Sequence, residues 1–599
     1  MKSPLAFLLT TFTLATMPTY ATDLQAEAPD GGVSVIANNT LTPAAVEGDQ
    51  TDLATITPLR KSELPEAAEV GLRLATPHGF TADWGVVTRA PITTPIKKGD
   101  MMLATFLARC QQSMTGESVI QFAFERNGEP YNKSAFIRMT VRENWTRFYV
   151  PFVVDDNYGV GEAHATFHMG FDGQVADLAG LEVINYRDTK TLADLPRSEI
   201  NYAGRAPDAP WRAEAEARID RLRKADLTVT VTDADGQPIP NAQVKLTQTR
   251  HAFPFGTAIS VPGLLDPSTD GVRYREVLKD DFTAGVFENA MKWNNHGVAT
   301  PAETLQALDW LNDADIEMRG HVLVWPGWRW LPEDLKTLAD QPESLRATVE
   351  QRVTETATRY RGKLVDWDVV NEPFANHDLM DILGNEVMLD WFHLAAAADP
   401  EAERYLNDYG ILTTGGRDSA HQQHFEDTIR YLQDNGAPIT GIGMQGHFAG
   451  TLTPPREIWR IFDRFAQFGL PIKVTELDID LNDPNLQADF MRDVLTAAFA
   501  HEAVEGVTVW GFWANRHWRP TAAHYDSHWN RRSVGEVWKQ LTQSTWWTEE
   551  SATVDAEGQA RFRGFKGDYD LKVTLPDGTT LTQTLVLEEP AGKVNVAAP

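Results

Sequence analysis

Two glutamates at the ends of apolar runs are the residues of this chain whose type and spacing best suit catalysis. Glu372 closes the run Val365–Val370 with Asn371 between them, and Glu476 follows Ile472–Thr475. Short apolar runs of this kind are typical of buried parallel strands. A carboxylate just past the C-terminal end of such a strand lies where parallel α/β barrels place catalytic groups. The two residues predict a glycosidase-type carboxylate pair, and the alternative is two ordinary strand-end acids.

The elements that must position this pair alternate between strand and helix patterns from Phe253 onward. The strand candidates are Phe255–Ile259, Thr283–Phe287, Met318–Val324, Val365–Val370, Tyr405–Tyr409, Gly441–Gln445, Ile472–Thr475 and Val507–Phe512. Helical patterns lie between them, for instance at Glu303–Asp313, Pro342–Tyr360, Asp418–Asn435 and Leu486–His501. We therefore predict an α/β fold with a catalytic (β/α)8 barrel over residues 251–544.

The segments on either side of the barrel have β patterns. Short alternating runs separated by Gly, Pro and Asn predict a β-sandwich over residues 52–187. Residues 188–225 read as a linker followed by a helix at Trp211–Ala225. Leu227–Thr232 and Ala242–Thr247 are predicted to form a hairpin. Residues 226–250 and 545–599 are expected to pair into one small β-module.

The N-terminus has the order of a secretory signal peptide. Lys2 precedes the apolar stretch Leu5–Met17, and cleavage is expected after Ala21. Residues 1–21 are thus assigned as a signal peptide and residues 22–51 as a flexible tether. No later segment has the apolar length of a membrane span. The only cysteine, Cys110, excludes an intramolecular disulfide, and we expect an exported protein that relies on its cores.

Composition narrows the class of ligand. The formal net charge is −30 and the sequence pI is near 4.9, which argues against nucleic acid and anionic membranes as partners. A neutral or weakly charged ligand fits better, and the acidity alone is equally consistent with a solubility feature. The chain has 18 tryptophans, a residue that stacks on sugars but also fills cores.

A series of motifs in the barrel region makes the comparison with a known family specific. In chain order they are ENAMKW from Glu288, RGHVLVW from Arg319, DVVNEPF from Asp368, YLNDYG from Tyr405, GIGMQGH from Gly441, VTELDID from Val474 and VWGFWANRHW from Val509. With these motifs, residues 251–543 resemble a glycoside hydrolase family 10 endo-β-1,4-xylanase. The outer domains resemble carbohydrate-binding β-sandwiches only loosely. In the sandwich, Trp84, Trp145 and Tyr158 are candidate rings for stacking on sugars, with a core role as the alternative for Trp145.

The resemblance implies a role for each central residue. Glu372 corresponds to the general acid/base and Glu476 to the nucleophile of a double displacement that retains anomeric configuration. Such a mechanism requires carboxylates about 5–5.5 Å apart. His447 is expected to donate a hydrogen bond that keeps Glu476 ionised, and the charge of Glu476 to raise the pKa of Glu372. Asn371 matches the ligand of the sugar 2-hydroxyl, with a simple turn role as its alternative.

The remaining substrate-binding residues implied by the family are Glu288, Asn289, Lys292, His321, Trp325, Gln445, Trp510 and Trp518. Glu288 and Lys292 fall at helical spacing, so a simple ion pair is the competing interpretation. His321 and Trp325 are expected on the third strand with their side chains on one face. A core role is the alternative for Trp510.

The chain departs from the family pattern beside the predicted cleavage site. Pro326–Trp330 stands where most members have a histidine and then a glutamine, and Ala514–Arg516 replaces a more acidic loop. Because of these changes, a second interpretation is the same mechanism acting on another plant or algal β-glycan. A sugar-binding protein with an idle barrel is the third interpretation.

No cofactor is expected. His517, His524 and His528 have no zinc-site spacing, so no metal is assigned to them. The expected partner is a polysaccharide, xylan or a related β-glycan, bound by a secreted monomer.

Overall fold

A computed structural model describes residues 28–37, 42–43, 54–76, 83–113, 117–171, 173–198, 201–295, 297–416, 419–450, 452–588 and 592–598. The chain divides into two compact units, residues 1–199 and 200–599. The predicted signal peptide, residues 1–21, and most of the predicted tether lie outside the described residues. Among the described residues, no helix combines the length and the apolar composition needed to cross a membrane.

The first unit is built from antiparallel strands. They are β1 (Val33–Ser34), β2 (Thr42–Pro43), β3 (Thr55–Pro58), β4 (Gly71–Thr76), β5 (Val87–Pro91), β6 (Met101–Ser113), β7 (Ser118–Arg126), β8 (Lys133–Val141), β9 (Thr146–Val153), β10 (Ala163–His168) and β11 (Gln174–Arg187). One sheet has the order β3-β4-β11-β6-β9 with β1 added beside β11, and the other has the order β2-β5-β10-β7-β8. Phe106 of the first sheet packs against Phe122 and Phe167 of the second, with ring centroids 5.8 and 4.7 Å apart.

Strand β1 corrects the prediction of a tether over residues 22–51. Val33 and Ser34 pair with Asn185 and Ile184 of β11. The next two residues, Val35 and Ile36, are buried in the core of the unit. The apolar run at 33–36 therefore anchors this part of the segment to the sheet.

The candidate stacking rings of this unit differ in exposure. The side chain of Trp84 is 58% exposed, and Trp145 lies partly buried beneath the Arg109 guanidinium, 4.7 Å from the ring centroid. Tyr158 is buried and donates its hydroxyl hydrogen to Asp155 at 2.6 Å. Tyr158 is thus a core residue, and its assignment as a candidate sugar platform is wrong.

The second unit begins with α1 (Pro210–Arg223), β12 (Lys224–Thr232) and β13 (Gln243–His251). A closed parallel barrel follows, made of β14 (Phe255–Ile259), β15 (Ala284–Phe287), β16 (Glu317–Gly320), β17 (Asp366–Asn371), β18 (Glu403–Asp408), β19 (Gly441–Ala449), β20 (Ile472–Asp480) and β21 (Val504–Val509). Its helices are α2 (Val261–Leu264), α3 (Thr269–Asp281), α4 (Pro301–Asp313), α5 (Pro342–Tyr360), α6 (Asp378–Leu383), α7 (Val387–Ala398), α8 (Ser419–Asp434), α9 (Pro455–Ala466), α10 (Pro484–Phe499) and α11 (Ser533–Gln540). The predicted α/β fold with a (β/α)8 barrel is confirmed.

Short-range signals explain where several barrel helices begin. Helix α4 starts at Pro301, and Thr300 and Glu303 cap each other's backbone N–H groups. Helix α10 also starts at a proline, and Asp483 accepts hydrogen bonds from the N–H groups of Asn485 and Leu486. These caps satisfy backbone donors that a helix start otherwise leaves unpaired.

The segments flanking the barrel form two small sheets. After the barrel come β22 (Glu549–Thr553), β23 (Gln559–Phe565), β24 (Gly567–Thr574), β25 (Thr580–Leu587) and β26 (Gly592–Ala597). One sheet has the order β23-β12-β26 and the other β22-β13-β24-β25, and they share one apolar core. The predicted hairpin of Leu227–Thr232 with Ala242–Thr247 is wrong, because β12 and β13 pair with the C-terminal strands and not with each other.

The helix that precedes the β-module also packs on the barrel. Arg223, at the end of α1, donates to the carbonyl oxygens of Phe499, His501 and Val504 at 2.7–2.8 Å. Earlier in the helix, Arg212 forms a 2.7 Å ion pair with buried Asp493. The helical part of the region predicted as linker and helix therefore packs on the barrel and belongs to the same unit.

Candidate active site

All the predicted site residues lie at the C-terminal ends of barrel strands or in the connections that follow. Asn371 is the last residue of β17, and Glu372 comes directly after it. Gln445 and His447 lie in β19, and Glu476 lies inside β20, which continues to Asp480. The expectation that Glu476 falls just past its strand is therefore wrong, since the strand is longer than the apolar run that predicts it.

Three side-chain amides join the two glutamates into one hydrogen-bonded network. Gln445 Nε2 donates to Glu372 Oε1 at 3.0 Å and lies 3.4 Å from Asn371 Oδ1. Asn407 Nδ2, on β18, donates to Asn371 Oδ1 and to Glu476 Oε1, both at 2.9 Å. The fold therefore brings the two predicted catalytic groups into a single connected site.

A second chain of contacts supports Glu476 from the other side. His447 Nε2 lies 3.2 Å from Glu476 Oε2, and His447 Nδ1 lies 2.9 Å from Asp478 Oδ2. Asp478 also accepts hydrogen bonds from Trp518 Nε1 at 2.7 Å and from Arg519 at 3.1 Å. A charged imidazole held between two carboxylates donates a hydrogen bond to each, so His447 fixes the orientation of the Glu476 carboxylate.

The electrostatics of the network separate the two glutamates. Burial raises the pKa of Glu372 to about 7, against the hydrogen bond from Gln445, and the charges of Glu476 and Asp408 act in the same direction as burial. Burial opposes the charged form of His447, but Asp478 and Glu476 outweigh it and raise the pKa of His447 to about 9. The raised pKa of Glu372 was predicted from the charge of Glu476, but burial of Glu372 contributes more to it than that charge does.

Glu288, Asn289 and Lys292 follow β15 in a turn rather than a helix. Lys292 Nζ donates to Asn289 Oδ1 at 3.0 Å. Burial raises the pKa of Glu288 against the nearby charge of Lys292. Burial also lowers the pKa of Lys292, against the carboxylates of Glu476 and Glu288. The three residues therefore share the electrostatic environment of the site.

Aromatic rings border the site. His321 and Trp325 follow β16, which ends at Gly320, so the prediction that both lie on the third strand is wrong. Their ring centroids are nevertheless 6.2 Å apart, and Trp510 lies 5.3 Å from His321. Trp510 follows β21 and is buried, whereas Trp518 is 50% exposed. His321 is held by a 2.9 Å contact with the buried carboxylate of Asp368.

Two buried donors of the site have no hydrogen-bond partner among the described residues. They are Asn371 Nδ2 and Trp325 Nε1. Buried polar groups in proteins are normally hydrogen-bonded, and exceptions often mark functional sites. A hydroxyl or ring oxygen of a bound sugar could accept a hydrogen bond from either donor.

The three C-terminal histidines do not converge. His517 and His524 are buried, and burial lowers their pKa values to about 4 and about 3. His528 is exposed and contacts Ser527. In the part of the chain that the structure describes, no group of three or more His, Cys, Asp or Glu side chains is arranged to hold a metal ion.

Three polar residues of the network are absent from the set predicted from the sequence, namely Asn407, Asp478 and Asn376. Asp478 stands two positions after Glu476 in one strand, so the alternation of β side chains gives a signal for it. Asn407 lies in the YLNDYG motif and also accepts a 2.7 Å hydrogen bond from Thr475. Asn376 lies beyond the DVVNEPF motif, and Asn376 Nδ2 contacts Glu372 Oε2 at 3.2 Å.

Residues 244–536 match the sequence model of glycosyl hydrolase family 10. A curated relative, anti-sigma-I factor RsgI6 of Acetivibrio thermocellus, is 31% identical over 66% of this chain and 51% of its own length. Endo-1,4-beta-xylanase 1 of Arabidopsis thaliana is 27% identical over 62% of this chain and 39% of its own length. The chain thus spans about half or less of these two relatives.

Beta-1,4-xylanase of Dictyoglomus thermophilum is 28% identical, and the match covers 47% of this chain and 82% of that protein. The crystal structure of xylanase 10B from Thermotoga petrophila RKU-1 in complex with xylobiose is 24% identical. It matches 48% of this chain and 95% of its own chain, with a TM-score of 0.43.

Proposed function

Since this chain belongs, through its barrel, to glycosyl hydrolase family 10, we propose that it is a retaining endo-glycosidase that cleaves internal β-1,4-xylosidic bonds of xylan. The observation that carries the proposal is the amide network that joins Glu372 and Glu476. A pair of glutamates with different electrostatic surroundings is what a double displacement requires.

Glu476 is the proposed nucleophile. It is buried and receives hydrogen bonds from Asn407 and His447, so its orientation is fixed. Its carboxylate oxygen attacks the anomeric carbon while the bond to the leaving oxygen breaks. Glu372, with a pKa of about 7, is protonated at mildly acidic pH and transfers its proton to that oxygen.

The second step uses the same groups in reverse. Once Glu476 is bound in an ester with the sugar, its negative charge is gone, and one cause of the raised pKa of Glu372 disappears. Glu372 is then ionised and accepts a proton from water as that water attacks the anomeric carbon. The ester breaks, Glu476 leaves as a carboxylate, and the product keeps the β configuration.

The surrounding residues supply binding energy for the sugar. Asn371 Nδ2 is available to the 2-hydroxyl, a contact that strengthens as the transition state develops. Glu288, Asn289, Lys292 and His321 provide hydroxyl ligands. The rings of Trp325, Trp510 and Trp518 provide apolar surface for sugar faces, and Gln445 and His447 orient the two glutamates.

Two further proposals concern the remainder of the chain. The signal-like order of residues 1–21 supports export, and this segment lies outside the described residues. The first unit is a candidate carbohydrate-binding module, supported by the exposed ring of Trp84. Enzymes of this class benefit when a second domain holds the polymer near the barrel.

A second substrate is supported by one local observation. Pro326–Trp330 adds two tryptophans and an arginine beside the site, and Trp330 stacks on Trp325 with ring centroids 3.9 Å apart. This loop supports the same chemistry on a different plant or algal β-glycan. The two alternatives differ in the polymer and not in the catalytic pair.

The test is product analysis of the parent protein and its Glu476→Gln variant on xylans and other β-glycans. We expect the parent to release β-anomers first, as seen by proton NMR, and the variant to lose roughly 10⁴-fold or more in kcat while still binding polymer. The matched control Glu401→Gln changes an exposed turn residue just before β18 and should retain activity. Absence of hydrolysis by the parent on every polymer would favour the sugar-binding interpretation instead.

A further inference from the structure

The loop Pro326–Trp330, here called the aromatic loop, is fastened to the segment that follows Glu372. The backbone N–H of Leu379 donates to the carbonyl of Pro326 at 3.1 Å. The backbone N–H of Trp328 donates to Asp378 at 2.8 Å. The indole N–H of Trp330 donates to Asn376 Oδ1 at 3.0 Å. A loop that departs from the family pattern thus contacts the segment carrying the proposed acid/base.

Asn376 extends this contact to Glu372 itself. Asn376 Nδ2 lies 3.2 Å from Glu372 Oε2 and 3.3 Å from the Glu372 carbonyl oxygen. An indole nitrogen can only donate, so Trp330 requires the oxygen of the Asn376 amide on its own side. The amide NH₂ is therefore directed to Glu372. The orientation of Asn376 follows from Trp330 and is not an arbitrary choice between two flips.

The aromatic loop admits Asn376 only because residue 327 is glycine. A Cβ at this position would stand 2.5 Å from Asn376 Oδ1 and 3.0 Å from Asn376 Cβ. Any larger side chain would displace the amide from its place between Trp330 and Glu372. The sequence of the loop and the position of Asn376 are therefore coupled.

Trp330 is in turn held rigidly against the wall of the site. Its ring stacks on Trp325 at an interplanar angle of 12°. Lys292 Nζ lies 5.1 Å from the centroid of the Trp325 ring, and the Arg329 guanidinium lies 4.7 Å from that of Trp330. Two stacked rings flanked by two cations leave Trp330 little freedom to release Asn376.

We propose that Asn376, oriented by Trp330, is a positioning residue that holds the carboxyl of Glu372 in the geometry for proton transfer. The proposal rests on the function proposed above. With Gln445 on Oε1 and Asn376 on Oε2, each oxygen of Glu372 receives a donor, so the carboxyl plane is fixed. Donation to the carboxylate also favours its ionised form, so loss of Asn376 raises the pKa of Glu372 further.

The test compares two aryl β-xylobiosides, one with a phenol leaving group and one with 2,4-dinitrophenol. Departure of phenol requires protonation by Glu372, whereas dinitrophenolate departs without it. We expect Asn376→Ala to lower kcat/KM about 10- to 100-fold on the phenyl substrate and by less than about 3-fold on the dinitrophenyl substrate. The basic limb of kcat/KM on the phenyl substrate should move to higher pH.

Three further variants separate the contacts. Asn376→Asp keeps the acceptor for Trp330 and removes the donor to Glu372, so it should share the leaving-group dependence even if the alanine variant folds poorly. Trp330→Phe keeps an aromatic ring next to Trp325 but removes the indole N–H together with part of the ring, and should show the same pattern more weakly. The matched control Trp459→Phe makes the same change of ring on helix α9, where the indole donates to the Ala497 carbonyl oxygen, and should not change kcat/KM on either substrate.

Equal losses on both substrates, or an unmoved pH limb, would overturn the positioning role while leaving the proposed function intact. A Trp330→Phe profile identical to that of Trp459→Phe would overturn the part assigned to Trp330. If the parent hydrolyses neither xylobioside, the proposed function and this inference fall together.

Discussion

Replacing the proposed acid/base should make the protein more stable at alkaline pH. In the folded chain the pKa of Glu372 rises from 4.5 to about 7 because the group is buried. The folded state therefore binds more protons than the unfolded state between these two pH values, and its stability falls as pH rises through that window. Glu372→Gln carries no ionisable group at this position and escapes that fall.

The size of the effect follows from the shift. A displacement of about 2.5 pH units corresponds to roughly 3 kcal/mol at about 1.4 kcal/mol per unit. This cost is only about 0.4 kcal/mol at pH 4.5, where Glu372 is protonated in the fold and half ionised in the unfolded chain, and it is nearly complete by about pH 8.5. Glutamine presents an amide NH₂ to one of the donors Gln445 and Asn376, which costs stability at every pH. When the stability difference between variant and parent at one pH is subtracted from that at the other, this constant contribution cancels.

The assay is calorimetric melting of the parent and Glu372→Gln at pH 4.5 and 8.5. For a unit of this size, 3 kcal/mol corresponds to roughly 3 to 4 °C. The melting temperature of the variant relative to the parent should rise by about that amount between the two pH values. For Glu401→Gln, the exposed control, the melting-temperature difference from the parent should be the same at both pH values. A variant whose relative melting temperature is independent of pH, or falls at pH 8.5, would refute the buried, raised-pKa description of Glu372.

Two other outcomes follow from the same site. The basic limb of kcat/KM for xylan should have its midpoint near pH 7, since the acid form of Glu372 is lost there; undiminished kcat/KM at pH 9 would contradict this. Arg319→Met should destabilise the barrel unit by about 3–5 kcal/mol in calorimetry, because it leaves buried Asp366 and Asp368, now 2.6 and 2.8 Å from the guanidinium, without that partner. Arg273→Met, at an exposed ion pair, is the control, and a loss no larger than its loss would argue against the buried pair.

The barrel and its two glutamates could be predicted from the sequence because most of the barrel strands fall in short apolar runs with helix patterns between them. The position of Glu476 within its strand could not. Strand β20 continues through Leu477–Asp480, where acidic and apolar residues alternate, and this extension depends on pairing with β19. Register between neighbouring strands is a tertiary property and leaves little trace in a local pattern.

The same limit explains the residues that the sequence analysis missed. Asn407 bridges Asn371 and Glu476 because parallel pairing sets Asn407 beside Asn371. Asn376 lies four residues after Glu372, but the orientation of its amide depends on Trp330, which is 46 positions away in the sequence. The predicted hairpin failed for a related reason: DADGQPIPN carries turn signals, but a turn does not determine which strands its flanking segments pair with.

The β-module contains strands from both sides of the barrel, and this has a consequence for synthesis. Strands β12 and β13 leave the ribosome before the first barrel strand, yet their partners β22–β26 emerge only after the last one. During translation of the whole barrel, β12 and β13 have edges with no native neighbour. If the chain ended shortly after α11, the edges of β12 and β13 would stay unpaired. Strands β22–β26 therefore complete the β-module and also cover edges that could otherwise pair with another chain.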